Sequence, residues 1–306
     1  MEAPGRPRLT SQHVESDPQY ASLLGEIQAF FRPQPDKPEE TPEAILRALW
    51  FSAAGQPMSV ARINGHPLPR IDAQGAERVR RLIALKRDGV PLAHITGRQS
   101  FLGLELCAGP EALIPRAETE ILAKAALAHL VGKHDPVAID VCTGCGNLAI
   151  AYAREGARVY AADLSEDAVA LARRNAAFTG FAGRVEFLCG DLFEPLKALG
   201  LEGACDLVSC NPPYITSAKV PKMPDEIAAH EPKLAFDGGA MGLSIITRVF
   251  AEAPAFLKPG GALAIEIGLG QGPLLYKRLA RLPWVAGAQA HRDAQGHIRA
   301  LVATRR

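Results

Sequence analysis

The chain reads as an α/β protein, a mostly parallel sheet with helices on both faces, preceded by a smaller helical domain and a linking β-hairpin. Three observations predict this. From Val137 onward short apolar runs alternate with helical patterns, the order that builds a parallel sheet with crossover helices. Ahead of about residue 98 the apolar periodicity is helical alone. Finally, 306 residues of which 48% are hydrophobic exceed one minimal domain and supply an ample core.

Residues 1–40 read as a polar, Pro-rich extension. It carries one amphipathic helix, Tyr20 to Phe31, with Leu23, Leu24, Ile27 and Phe31 at helical spacing. A helical domain spans 41–97. Thr41-Pro42 supplies an N-cap and a proline at the first helical position, and an apolar helix then runs through Trp50. Gln74 to Asp88 follows, with a stripe of Ala76, Val79, Leu82 and Ile83. Short extended pieces between Ser100 and Pro115 form the hairpin linker, 98–116.

The main domain, 117–306, opens with a helix from Glu118 to Val131. Strand Val137–Val141 leads to helix Leu148–Arg154, and strand Arg158–Ala162 to helix Glu166–Phe178. Strands Val185–Cys189 and Asp206–Cys210 come next, then a long loop, helix Gly242–Leu257, strand Ala262–Ile267 and helix Gln271–Leu282. Strands Val285–His291 and Ile298–Thr304 have no helix between them, which predicts an antiparallel hairpin at one sheet edge.

A net charge of +1 excludes a global drive onto nucleic acid or an anionic membrane. The basic set Arg78, Arg80, Arg81, Lys86 and Arg87 fits a solvated helix face. No basic-then-apolar leader opens the sequence, no apolar run reaches membrane-spanning length, and six cysteines sit in core-like strands. A cytoplasmic protein with reduced thiols is expected.

Two turns carry the chemistry. In the first, strand Ala138-Ile139-Asp140-Val141 runs through Cys142-Thr143-Gly144-Cys145-Gly146 into a helix. Gly144 and Gly146 permit a tight turn and close approach of a ligand to the backbone. Asp163 ends the next strand, 23 residues after Asp140, where a carboxylate accepts ribose hydroxyls. Asp191 and Leu192 end the third, where an adenine would lie. Three strand ends, each with an acid, describe a nucleoside site at the carboxyl edge of an open sheet. NAD is the rival ligand, but Ala149 breaks the full GxGxxG spacing and no hydride-transfer acid stands out. Acids suit S-adenosylmethionine better, because it carries an amino group and a cationic sulfonium. Cys142-x-x-Cys145 lacks a second zinc-binding half and is read as small turn residues, with redox exchange the lesser alternative.

The second turn is Asn211-Pro212-Pro213-Tyr214, after the apolar strand ending at Cys210. Proline fixes φ and biases its predecessor towards extended geometry. The Asn211 side chain and the Pro212 carbonyl therefore form a fixed pair of acceptors for a planar NH2 group, with Tyr214 against its π face. A plain Pro-rich turn is the bland alternative.

With both turns in place, the chain resembles the HemK-type class I methyltransferases, which modify a glutamine side-chain nitrogen. The likeness runs from about residue 75 to 306 and rests on several segments. They are Pro91-Leu-Ala-His-Ile-Thr-Gly97 with Phe101, Leu113-Ile-Pro-Arg-Ala-Glu-Thr-Glu120, the Asp140–Gly146 turn, Asp163, Asp191, Asn211–Tyr214, and Glu231-Pro232 with Asp237-Gly238-Gly239. The resemblance implies a Rossmann-like, S-adenosylmethionine-dependent methyltransferase sheet. Residues 142–146, Asp163, Leu192 and Asn211 would contact the cofactor, and residues 211–214 would hold the glutamine. Arg116, near the hairpin, is a candidate for the substrate cleft or else pairs with Glu118 or Glu120. The family acceptor is usually the Gly-Gly-Gln loop of a peptide-chain release factor, and Pro115-Arg116-Ala-Glu-Thr-Glu resembles the release-factor group. Cys142 stands where the family has the first glycine of the turn.

Two other acceptors fit the same chemistry, an amide or guanidine nitrogen of a small metabolite and an exocyclic base amine. The near-neutral charge and the lack of a basic or stacking stripe weigh against the base. A non-enzymatic nucleoside-binding regulator leaves the second turn unexplained.

Overall fold

The computed structural model describes residues 15, 18–34, 36–223, 225–239 and 241–306. Most of the segment 1–17, part of the expected extension, lies outside the described residues. The chain divides into two compact units, Met1–Ser100 and Phe101–Arg306. Among the described residues no helix is long and apolar enough to cross a membrane.

The first unit is helical: α1 (Pro18–Phe30), α2 (Pro42–Ala53), α3 (Val60–Ile63), α4 (Ala73–Arg87) and α5 (Leu92–Thr96). Thr41 caps α2 as the sequence predicts, its Oγ1 accepting from the Ala44 N–H at 3.2 Å. Asp72 does the same for α4, accepting from Gly75 N at 2.7 Å. Leu23 and Ile27 of α1 are fully buried in one cluster with Leu46 and Leu49 of α2 and Val79 of α4. The helix within residues 1–40 thus joins the core of this unit, because its apolar stripe needs a partner face.

Strands β1 (Arg98–Phe101) and β2 (Leu104–Cys107) form the hairpin at the division between the units. In the second unit, α6 (Thr119–Ala128), β3 (Val137–Val141), α7 (Asn147–Arg154), β4 (Arg158–Asp163), α8 (Glu166–Thr179), β5 (Val185–Cys189) and β6 (Cys205–Cys210) follow in turn. After them come α9 (Asp225–His230), α10 (Ser244–Phe256), β7 (Leu257–Glu266), α11 (Gly272–Leu279), β8 (Val285–Arg292) and β9 (Ile298–Arg305). The seven-stranded sheet has the order β5-β4-β3-β6-β7-β9-β8. Strands β3 to β7 pair in parallel, whereas β9 runs antiparallel to both β7 and β8, giving the expected edge hairpin.

One face of the sheet buries Leu122 of α6, Ile150 of α7 and Leu171 of α8. The other buries Ile246 and Phe250 of α10 and Leu275 of α11. The segment after Tyr214 is more ordered than a long loop. It holds α9 and two short helical turns, Val220–Lys222 and Lys233–Ala235, and Ile215 forms a parallel bridge to Asp237.

The chain builds β3, β4 and β5 outward and then crosses back to place β6 on the other side of β3. That reversal opens a crevice at the carboxyl ends of β3 and β6. Val141 pairs with Cys210 there, so the residues that follow, Cys142 and Asn211, begin their turns side by side.

Asn175 of α8 fixes the first of these turns to β2. Its Oδ1 accepts from Cys107 N at 2.6 Å, and its Nδ2 donates to Cys107 O at 3.1 Å and to Cys145 O at 3.0 Å. The side chain is fully buried. Asn175→Leu keeps the volume but strands those three backbone groups, so we expect it to lower stability by at least about 2 kcal/mol in urea denaturation of the full chain.

Candidate active site

A cleft of about 1080 Å³, counted with its open mouth, lies over the β3–β6 crevice within the second unit. Cys142, Thr143, Gly144 and Cys145 form its floor, with Asp163, Asp191, Leu192, Asn211, Pro213 and Arg116 around it. Asp140, Gly146, Pro212 and Tyr214, also expected in the site, do not line it.

The reason differs for each of these four. Asp140 is fully buried beneath the turn and accepts from Thr143 Oγ1 and Ser209 Oγ, each at 2.6 Å. Burial pushes its carboxyl up to about 6, although both hydroxyls hold it down. Gly146 starts α7 in the left-handed region, with φ 82°. A Cβ there would sit 3.1 Å from the Ala172 side chain, so its hydrogen atom serves packing. Pro212 is buried. Tyr214 turns its ring behind the turn and donates from its hydroxyl to Glu266 Oε1 at 3.0 Å.

Asp163 is where the sequence places it. Its Oδ2 accepts from Gly144 N at 2.8 Å and its Oδ1 from Ser165 N at 3.0 Å. Burial raises its pKa and these backbone donors lower it. Each carboxylate oxygen accepts more than one hydrogen bond, so a sugar hydroxyl can be received on the cleft side. Asp191 is instead paired with Arg248 of α10, whose Nη1 lies 2.9 Å from its Oδ2. Leu192 presents an apolar surface beside it, at φ 49°.

Cys142 occupies a glycine-like conformation, with φ 59°. Its thiol meets that of Cys210 on the neighbouring strand, and burial together with this contact pushes the Cys210 thiol well above its usual range. Burial likewise raises Cys145 to about 12. A thiol so reluctant to ionise is a packing group, not an exchanging one. All six cysteines are free.

Arg116 lines the cleft and is paired with Glu231, whose side chain is wholly buried. The other Glu231 oxygen accepts from Ile114 N at 2.9 Å. Local spacing offers only Glu118 and Glu120 as partners of Arg116, whereas the acid it meets lies 115 residues away.

The residues that brace the second turn were missed. Asn211 Nδ2 donates to Thr119 Oγ1 at 3.2 Å, while Gln271 Nε2 donates to Tyr214 O at 3.2 Å. Glu266 holds the Tyr214 hydroxyl, and burial pushes its carboxyl up to about 7. An acid closing an apolar strand, as Glu266 does, was the available signal.

The relatives of this chain bear on what the cleft holds. A release factor glutamine methyltransferase of Moorella thermoacetica is 36% identical over 277 residues, which cover 89% of this chain and 93% of that protein. The chain belongs to the release factor glutamine methyltransferase family. Its namesakes in Geobacter sulfurreducens and Deinococcus radiodurans share 37% and 40% identity over 66% and 64% of this chain and 69% of each relative. A family model described as RNA cap guanine-N2 methyltransferase matches residues 136–215, from β3 to the Asn-Pro-Pro-Tyr turn. Among solved structures, the hMettl16 catalytic domain in complex with the MAT2A 3′UTR hairpin 6 aligns with a TM-score of 0.51 at 14% identity, covering 75% of this chain and 81% of that one. That likeness is one of fold. The chain is an S-adenosylmethionine-dependent methyltransferase. The cleft suits that cofactor: two glycine-like turn positions, an acid at the end of the next strand and the apolar surface of Leu192.

Gly242 packs on the second turn so closely that a Cβ there would lie 2.2 Å from Tyr214 O. Gly242→Ala must displace that carbonyl, and the residue already has φ 65°. We expect turnover to fall at least about tenfold while calorimetry shows cofactor affinity little changed.

Proposed function

We propose that this chain transfers a methyl group to the side-chain amide nitrogen of a glutamine in a peptide-chain release factor, in the cytoplasm. The observation that carries the reading is the Asn211 carboxamide at the cleft wall, its Nδ2 committed to Thr119. Oδ1 is then the end offered to an incoming NH2 group.

An amide nitrogen is a weak nucleophile because its lone pair is delocalised into the carbonyl. Asn211 Oδ1 accepts one of its N–H bonds at the cleft wall, and the second is assigned to the main-chain oxygen of Pro212, which the turn must bring to the cleft as the substrate enters; together they turn the lone pair towards the cofactor side of the cleft. Bound S-adenosylmethionine supplies the electrophilic methyl. As positive charge grows on nitrogen, both acceptors tighten, so orientation and charge stabilisation lower the barrier together. The C–S bond of the donor would break as the N–C bond forms, and the excess proton then passes from nitrogen to water, so no strong base is required. Tyr214 serves this geometry from behind, through Glu266 and Gln271. Asp163 and Leu192 hold the nucleoside.

The walls favour a protein acceptor over a nucleic acid. Among the described residues lining the cleft, Glu111, Asp163 and Asp191 are acidic and Arg116 is the one basic side chain, itself neutralised by Glu231. Glu111 and Asp191 are paired in turn with Arg174 and Arg248, so the lining offers phosphate no uncompensated basic side chain. Leu164 and Leu234 line it while remaining 55% and 50% exposed, an apolar rim that suits a peptide loop. The names of the relatives supply the acceptor.

Labelled cofactor offered with release factor, release factor lacking the acceptor glutamine, free amino acids or DNA tests the assignment. Label should enter only intact release factor, and equal labelling of the glutamine-free factor refutes it. Asn211→Ala is expected to reduce turnover on the order of 10²- to 10³-fold. Asp163→Ala is expected to raise the cofactor dissociation constant about tenfold or more, as read by calorimetry.

A further inference from the structure

Glu266 lies outside the cleft wall, yet it connects to both ends of the Asn-Pro-Pro-Tyr turn. It closes β7, the residue is 2% exposed, and its Oε1 accepts from the Tyr214 hydroxyl at 3.0 Å. Its Oε2 is buried without a completed hydrogen bond. The Thr119 hydroxyl, at the start of α6, is the neighbouring donor that favours the ionised carboxylate. Thr119 Oγ1 in turn receives Asn211 Nδ2 at 3.2 Å.

We infer that Glu266 is a positioning residue that decides which end of the Asn211 carboxamide faces the methyl acceptor. The inference rests on the reading of Asn211 given above and deepens it. A hydroxyl has one proton, and an ionised carboxylate can only accept. With Glu266 ionised, the Thr119 proton points at the carboxylate and the Thr119 lone pairs face Asn211. Those lone pairs can receive only the Nδ2 end, so Oδ1 turns to the cleft. A neutral group at 266 removes this constraint. It can donate to Thr119, whose own proton then turns to Asn211 and draws Oδ1 inward. The amino end of Asn211 would then face the amino group of the acceptor, donor against donor.

The charged and titratable groups around Glu266 come from three directions. Tyr214 belongs to the turn after β6, Arg299 to β9, and Glu118 to the residue just before α6. Burial raises the Glu266 carboxyl, Thr119, Tyr214 and Arg299 lower it, and Glu118 raises it further. The balance is about 7, so the change of state falls near neutral pH. Protonation as pH falls through that value lifts the constraint, so turnover should drop on the acid side.

Glu266→Gln tests the relay at constant shape, with methyl transfer to intact release factor measured from pH 5.5 to 9. Turnover is expected to fall on the order of 10²-fold at pH 8, with the acid limb near 7 abolished. Cofactor affinity by calorimetry and the melting temperature should stay close to those of the parent. Thr119→Val should reproduce the loss and Thr119→Ser should restore activity. Tyr214→Phe removes a hydrogen bond to the carboxylate and should move the acid limb to higher pH. Wild-type turnover in Glu266→Gln, or an acid limb that persists in it, overturns the inference. If Asn211→Ala is inactive while Glu266→Gln runs at the parental rate, the relay alone is wrong. If Asn211→Ala is fully active, the reading of the turn falls and the relay with it.

Discussion

Asp140 is the tie on which the rest of the site depends. It receives one hydroxyl from the turn above it, Thr143, and another from the adjacent strand, Ser209. Ser209 stands two residues before Asn211, so one carboxylate joins the turn under the cofactor to the strand that presents the amide-binding residue. Parallel pairing of β3 with β6 sets the spacing, and Asp140 fixes how the turn sits upon it. A fully buried acid is normally destabilising. Here two short hydrogen bonds at 2.6 Å offset part of that penalty, and what remains is the raised pKa.

Much of this architecture was legible in the sequence. The alternation after Val137, the capping Thr41-Pro42 and the lack of a helix between the last two strands each correspond to an observed element. Local patterns of this kind reflect backbone propensity and the period of the buried face. The two turns were equally readable, because glycine and proline mark them directly. Both proved to start from paired residues, Val141 and Cys210.

What escaped was pairing across long separations. Glu231 reaches Ile114 and Arg116, Asn175 reaches Cys107, and Glu266 reaches Tyr214, from 52 to 117 residues apart. Nothing in local spacing announces such contacts. Asp140 illustrates the opposite difficulty. An acid at a strand end suggests a ligand, but successive side chains alternate across a strand, and hydroxyls at 143 and 209 were available to take it. The helix α1 likewise looked separable by composition, although its buried stripe belongs to the core of the helical unit.

Glu231 ties two strips of the cleft wall together. Glu231 grips the Ile114 amide with one oxygen and the Arg116 guanidinium with the other. The strip carrying Ile114 and Arg116 and the strip just after α9 therefore cannot separate by sequential small steps. A carboxylate left without its partner in that buried position is strongly disfavoured, so the two strips are held together. Leu164 and Leu234 give the same cleft a greasy lip, the surface on which the proposed loop would settle.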